Sequence, residues 1–68
     1  MKLSVCAVFD RKLGVIDQPF AIRHSEEATR QFLLLKSDSN TKFGKHPEDY
    51  VLLEVAKYDD VLGTFENL

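Results

Sequence analysis

Residues 9–16 read FDRKLGVI, and the same pattern returns at residues 58–65 as YDDVLGTF. Both stretches run aromatic, Asp, two variable residues, Leu, Gly, β-branched, apolar. Asp opens a turn by accepting hydrogen bonds from backbone amides further along, and Gly supplies a positive φ or a bulge where the chain re-enters a strand. The repeat therefore predicts two hairpins with matching turns. Duplication and independent use of the same turn chemistry both explain it, and we favour the second.

Extended segments flank both turns. The strand before the first turn has one strongly apolar face, made by Leu3, Val5, Ala7 and Phe9. Period-two alternation of this kind is typical of a β-strand. The run after the turn, residues 15–22, contains Pro19, which removes a ladder donor and predicts an edge or interrupted strand. Residues 50–58 and 64–68 form the third and fourth predicted strands.

A helix is predicted between the hairpins, over residues 25–36. Ser25 is a suitable N-cap, and Glu26 and Glu27 favour the positive end of the helix dipole. Ala28, Phe32 and Leu35 form one apolar stripe at helical spacing. The apolar run Phe32, Leu33, Leu34 and Leu35 exceeds what one face of a surface helix needs. We therefore expect this run, or an edge strand, to be buried in a homodimer.

These elements predict an α+β fold of order ββαββ, in which one helix packs on one face of a four-stranded, mostly antiparallel sheet. The first and third strands are placed at its centre, with the Pro19-containing strand at an edge. The chain is predicted to form a single domain, residues 1–68, whose parts are hairpin 2–22, helix 25–36, loop 37–49 and hairpin 50–68.

The composition excludes several classes of protein. With 68 residues, folding buries only about 60% of the surface that the unfolded chain exposes. One cysteine allows no intrachain disulfide and fits a reducing compartment. The sequence has neither an apolar run long enough to span a membrane nor a signal-peptide pattern. We expect a small soluble cytosolic protein with no membrane partner.

The net charge of −2 conceals an asymmetry along the chain. Residues 1–45 carry eight basic and five acidic side chains, a net of +3, whereas residues 46–68 carry one basic and six acidic, a net of −5. A basic face near aromatic rings is typical of single-strand binding, because cations follow the phosphates while rings stack on bases. Ordinary solvated surfaces and core aromatics explain the same residues. The nucleic-acid-binding candidates are Arg11, Lys12, Arg23, Arg30, Lys36, Lys42, Lys45 and His46.

The loop of residues 37–49 is long for so small a domain, and long loops are often functional. Phe43 is its only large apolar residue and is expected to anchor it to the core. Pro47 pushes His46 toward an extended backbone, which suits a simple entry into the next strand. A recognition loop, in which His46 and the neighbouring lysines contact phosphate or a protein, is the rival interpretation.

No catalytic constellation, cofactor motif or metal site is predicted. Cys6 alternates within a strand and is expected to be structural, and His24 and His46 add no metal-ligand spacing to it. The acidic side chains near the second turn and the loop are expected to be solvated turn formers, since no spacing matches a calcium loop. The carboxylates considered are Asp10, Glu48, Asp49, Asp59 and Asp60.

Several local sequences together resemble a known family. They are Val8-Phe9-Asp10, Lys12, Pro19-Phe20, Ala28-x-Arg30-x-Phe32, Phe43, His46-Pro47-Glu48-Asp49-Tyr50, Leu52, Tyr58-Asp59-Asp60 and Gly63. This set resembles the small non-structural protein of gokushovirus-type Microviridae, which are single-stranded DNA bacteriophages. The resemblance covers nearly the whole chain, and the His46–Tyr50 segment is its most specific element.

The resemblance implies a DNA-binding accessory protein in the host cell cytoplasm that helps shift replication toward single-stranded genome synthesis for packaging. It implies no particular catalytic or binding residues. Two hypotheses follow. The first is a non-catalytic protein, expected to be a homodimer, that binds single-stranded DNA or the replication complex. The second is a protein–protein adaptor for phage or host replication or capsid proteins, favoured by the acidic C-terminal part, which would repel DNA.

Overall fold

Two long antiparallel strands form the centre of the sheet. A computed structural model describes residues 1–68, and in it these strands pair from Lys2 opposite Asp59 to Asp10 opposite Tyr50. The elements in chain order are β1 Lys2–Asp10, β2 Val15–Ile16, β3 Phe20–Ile22, α1 Ser25–Ser37, α2 Lys42–Lys45, a 3₁₀ turn Pro47–Asp49, β4 Tyr50–Asp59 and β5 Thr64–Asn67. No helix among them is long and apolar enough to cross a membrane.

The sheet is antiparallel and has the order β2-β1-β4-β5, with β3 also paired to β1. The mixed α+β class and the central position of the first and third predicted strands are confirmed. The order ββαββ is wrong in detail, because Pro19 interrupts the second strand and leaves two short ones on the same edge of β1. The loop of residues 37–49 also contains α2 and the 3₁₀ turn, so it is more ordered than predicted.

The two hairpin turns have the same hydrogen bonds. In the first turn the Asp10 carboxylate accepts from the amides of Lys12 (3.0 Å) and Leu13 (3.2 Å), and the Gly14 amide donates to the Asp10 carbonyl (2.8 Å). The second turn repeats these bonds from Asp59, at 2.9, 3.1 and 2.8 Å. The closing glycines have φ of 71° and 68°, the left-handed region that favours glycine. The predicted matching turns are confirmed.

The N-cap of the long helix lies one residue earlier in the sequence than predicted. Ser25 is the first helical residue, and His24 occupies the N-cap position without a side-chain hydrogen bond, so the prediction of Ser25 as N-cap is wrong. The helix ends at Ser37, one residue beyond the prediction. Ala28 and Phe32 are its buried residues and set the face that contacts the sheet.

An aromatic cluster ties the segment after α1 to the sheet. Phe43 lies between Phe32, with ring centroids 5.9 Å apart, and Tyr50, with centroids 4.9 Å apart, and both contacts are edge-on. The Thr41 hydroxyl accepts a hydrogen bond from the Gly44 amide at 3.1 Å and so caps α2. The predicted anchoring role of Phe43 is confirmed.

A bulge in β4 determines which side chains share a face. The register shifts between Val5, which faces Ala56, and Cys6, which faces Glu54, so Val55 is an extra residue on β4. Cross-strand partners lie on the same face of a sheet, and alternate residues continue it. On the face that we call the helical face, Cys6, Phe20 and Leu52 lie with α1. On the face that we call the open face, no helix packs; it is formed by Leu3, Val5, Ala7, Phe9, Ile16, Ala21, Val51, Leu53, Ala56, Tyr58, Phe65 and Asn67.

All charged side chains of the strands lie on the helical face. They are Lys2, Asp10, Glu54, Lys57, Asp59 and Glu66. The Lys57 ammonium donates to Glu54 (3.1 Å) and to the Ser4 hydroxyl (3.3 Å), and the Lys2 ammonium donates to Glu66 (2.8 Å). Lys2 and Lys57 therefore neutralise Glu66 and Glu54 at the end of the sheet away from Asp10.

Acid is expected to destabilise the fold through three of these carboxylates. Hydrogen bonds from the Leu62 and Val61 amides lower the pKa of Asp59. Hydrogen bonds with Ser4 and Lys57 lower the pKa of Glu54, and the hydrogen bond from Lys2 lowers the pKa of Glu66. The three carboxylates are Asp59, Glu54 and Glu66. Because each folded-state pKa lies below the unfolded one, the unfolded chain binds protons first as the pH falls.

The stabilisation should therefore be complete at neutral pH and be lost as the pH falls below the ordinary carboxyl range of about 4. Urea unfolding followed by circular dichroism across this range measures the effect. Glu66→Gln should reduce the acid sensitivity, because it removes one of the three carboxylates whose pKa is lowered by folding. An unfolding free energy independent of pH between neutrality and strong acid would contradict this expectation.

Candidate nucleic-acid interface

A cleft lies between α1, the start of β4 and the tip of the first hairpin. Its volume is about 460 Å³. Two of the predicted binding residues, Arg11 and Lys36, line it together with the rings of Phe32 and Tyr50. Its other lining residues are Thr29, Leu33, Pro47, Glu48, Val51 and Leu52. The fold thus brings two cations from distant parts of the chain to one concave, partly aromatic surface.

Local structure places both cations at the cleft. The Arg11 amide donates to the Asp49 carbonyl at 2.8 Å, which holds the first hairpin turn against the 3₁₀ turn. Lys36 lies in the last turn of α1, and its ammonium is 4.8 Å from the centroid of the Phe32 ring. A cation over a ring face at this distance is attracted by the ring quadrupole. Neither cation has a carboxylate partner within the chain.

A third predicted cation lies over the aromatic cluster next to the cleft. The Lys42 ammonium is 5.3 Å from the Phe43 centroid and 5.7 Å from that of Tyr50. It is also 3.8 Å from the Asp17 carboxylate, and both side chains are more than half exposed. A pair of this kind contributes little in water, so Lys42 stays available to a stronger anion.

The other predicted binding residues are exposed but lie outside the cleft lining. They are Lys12, Arg23, Arg30, Lys45 and His46. The structure therefore divides the predicted set into a cleft group (Arg11 and Lys36), the adjacent Lys42, and a dispersed remainder. The charge around the cleft is mixed, because Glu48 lines it as well.

Tyr50 was not among the sequence candidates, although it lines the cleft and lies under Lys42. The pattern placed it only as the first residue of a strand. Its face follows from its pairing with Asp10 in the register of β1 and β4. The sequence does indicate that Tyr50 and Leu52, two residues apart on one strand, share a face of the sheet. It does not indicate that this is the face covered by the helix.

The carboxylates considered as a metal cluster do not come together. Glu48 and Asp49 precede β4, whereas Asp59 and Asp60 lie at its other end. Potential ligand atoms of His46, Glu48 and Asp49 do lie within 4.8 Å of one another. The first two side chains are exposed and the third is half-buried. Exposed groups of this kind are common without an ion.

Cys6 and the helix leucines have different environments. Cys6 is 1% exposed, and burial raises the pKa of its thiol, which disfavours the reactive thiolate. Phe32, predicted in an oligomer interface, is buried within the chain. The other three predicted interface residues, Leu33, Leu34 and Leu35, are exposed.

Comparison with known proteins places the chain among bacteriophage proteins. Residues 3–68 match the family model described as Phage ORF5 protein, which spans nearly the entire chain. The chain belongs to the Phage ORF5 protein family. Comparisons with curated proteins and with solved structures gave no match. The phage origin that the sequence resemblance implied is thereby confirmed.

Proposed function

We propose that this phage accessory protein is non-catalytic and binds single-stranded DNA at the cleft during viral DNA synthesis or packaging. The observation that carries the proposal is the meeting of Arg11 and Lys36, both without carboxylate partners, beside the Tyr50 ring. The setting that we propose is the host cell cytoplasm during infection by a gokushovirus-type member of the Microviridae. The sequence resemblance supports this setting.

The cleft offers two kinds of contact that suit a flexible strand. Arg11 and Lys36 on its walls, with Lys42 alongside, can each neutralise one phosphate of the backbone. The half-buried ring of Tyr50 can stack on a base, an interaction worth about 1–3 kcal/mol per base. Stacking tolerates every base, so binding should be independent of sequence. With so few cations, binding should also be weak.

The salt dependence of binding gives a numerical test. Neutralising three phosphates of a single strand predicts a slope of about −2 for log K against log salt concentration. The double variant R11Q/K36Q should flatten that slope to about −0.7, because only Lys42 remains. Fluorescence anisotropy of a labelled oligonucleotide, titrated at several salt concentrations, measures both slopes.

The matched control is R23Q/R30Q, which removes the same formal charge from exposed positions outside the cleft. Its slope should equal that of the unaltered protein. Equal flattening in both double variants would show that charge position is irrelevant and would contradict binding at the cleft. A lack of any binding at low salt would overturn the proposal that the protein contacts DNA directly.

A second function is favoured by one observation, the presence of Glu48 in the lining of the same cleft as the two cations. A carboxylate there repels phosphate but suits a protein surface of mixed charge. On this alternative the protein is an adaptor for phage or host replication or capsid proteins. Glu48→Gln separates the two functions, because it should tighten DNA binding and weaken capture of a protein partner. A pull-down from infected cells that recovers nucleic acid alone would contradict the adaptor.

A further inference from the structure

The open face of the sheet has no partner within the chain, although its composition is that of a buried surface. Every element that packs on the sheet does so from the helical face. The open face carries no charged side chain, and Asn67 at its margin is its one polar amide. Phe65 is 66% exposed and Ile16 is 57% exposed on this face. Val5, Ala7 and Ala56 at the centre of this face are only 8%, 1% and 6% exposed, so its exposed apolar surface lies toward its two ends. Apolar surface left exposed without neighbouring charge is typical of interaction sites.

The total exposed area points in the same direction. The chain exposes 4990 Å². A folded monomer of 7.8 kDa exposes about 4,400 Å² on average, so the excess is about 600 Å². A stable interface of standard size covers about 800 Å² on each partner. The excess is therefore close to the area that one such interface would cover on this chain.

We propose that the open face is a homodimer interface, in which a second copy of this chain packs its own open face against the first. In a two-fold contact the same patch meets itself, so a charge near the axis would face its own copy. A face from which all charges are missing meets that condition. DNA is a poor occupant of the same face, because nothing there can neutralise phosphate.

The shape of the open face also suits sheet-on-sheet packing. Phe9 lies toward one end of the face, Tyr58 and Phe65 lie at the other, and the small side chains of Ala7 and Ala56 lie between. A shallow apolar depression of about 270 Å³ lies at the Phe65 end. Two sheets that pack face to face at about 10 Å interdigitate side chains in this way. The dimer would be a β-sandwich with a helix on each outer surface.

Sedimentation velocity of the full chain, from low to high micromolar concentration, tests the proposal. The expected species is a dimer of twice 7.8 kDa. Leu53→Lys and Phe65→Lys each place a cation on the open face, and each should weaken dimerisation by about thirtyfold or more, as loss of an interface hot spot does. Far-UV circular dichroism checks folding. Phe65 is exposed enough to tolerate lysine, so F65K decides the question if L53K does not fold.

The matched control is Leu34→Lys, the same chemical change on the exposed side of α1, where Leu34 is 66% exposed. It should leave the dimer intact. A monomer at all concentrations would overturn the proposal, and so would open-ended oligomers, which indicate pairing of strand edges. Loss of the dimer in L34K but not in F65K would assign the interface to the helix leucines instead. Because these variants leave the cleft untouched, their outcome is independent of DNA binding.

Discussion

Replacing Phe32 by alanine is expected to destabilise the fold by about 3–5 kcal/mol, the usual cost of removing a buried phenylalanine. Phe32 is 7% exposed, and its ring contacts Phe43 edge-on, with Lys36 lying over it. For a chain of 68 residues the whole unfolding free energy is about 3–10 kcal/mol. The variant should therefore lose between about a third and all of its stability. Thermal and urea unfolding followed by circular dichroism measure the loss at fixed protein concentration.

The control for this substitution is Leu34→Ala, two residues further along the same helix. Leu34 is 66% exposed, so its truncation leaves no cavity and should change stability by less than about 0.5 kcal/mol. The two variants distinguish the core residue of the apolar run Phe32–Leu35 from a residue of that run that is exposed on the helix surface. Similar losses in both variants would show that the exposed leucines are buried in the native assembly, contrary to the structure of the single chain.

Gly44→Ala is expected to destabilise the protein by about 2–3 kcal/mol, the upper part of the range for overpacking. Helix propensity alone predicts the opposite, because alanine in a helix interior is about 1 kcal/mol more favourable than glycine. Here a methyl group would overlap the carbonyl of Asp38. This carbonyl belongs to the backbone, so it cannot move aside as the end of a flexible side chain can. The sign of the measured change decides between propensity and steric contact.

Lys45→Ala is the control for Gly44→Ala, since Lys45 follows directly in α2 and is exposed. It should be nearly neutral. The proton signals of Phe43 and Tyr50 provide a second measurement, because displacement of α2 would separate their rings, now 4.9 Å apart between centroids. A Gly44→Ala variant of unchanged or greater stability would show that the backbone at Asp38 moves to accommodate the added methyl group.

Local features of this fold could be predicted from the sequence, because their causes are local. Asp10 and Gly14 determine the first turn through bonds that span only a few residues, and the same holds for Asp59 and Gly63. The interruption at Pro19 follows from one missing donor. Order within the loop also has local signals in the sequence, namely the Thr41 cap of α2 and the proline at the start of the 3₁₀ turn.

The choice of face was not predictable by the same reasoning. Both faces of β1 are apolar at its centre, Val5 and Ala7 on one and Cys6 and Val8 on the other. Alternation therefore indicates a strand without indicating where the helix packs. The bulge at Val55 has no signature in the sequence and changes the face of every later residue of β4. The position of the cleft depends on which face the helix covers. Arg11 and Lys36 could therefore be predicted as binding candidates, but their common position at one cleft could not.

The paired turns have a consequence for how the chain reaches its native state. Each hairpin joins neighbouring segments, and such hairpins form within about 1–10 μs. The ladder between β1 and β4 instead joins segments that are separated in sequence by β2, β3, α1 and α2, so forming it requires closure of a long loop. Contacts of such long sequence separation slow folding and leave strand edges exposed meanwhile. Closure of this central ladder should therefore limit the folding rate, and the turns should act as early guides to its register.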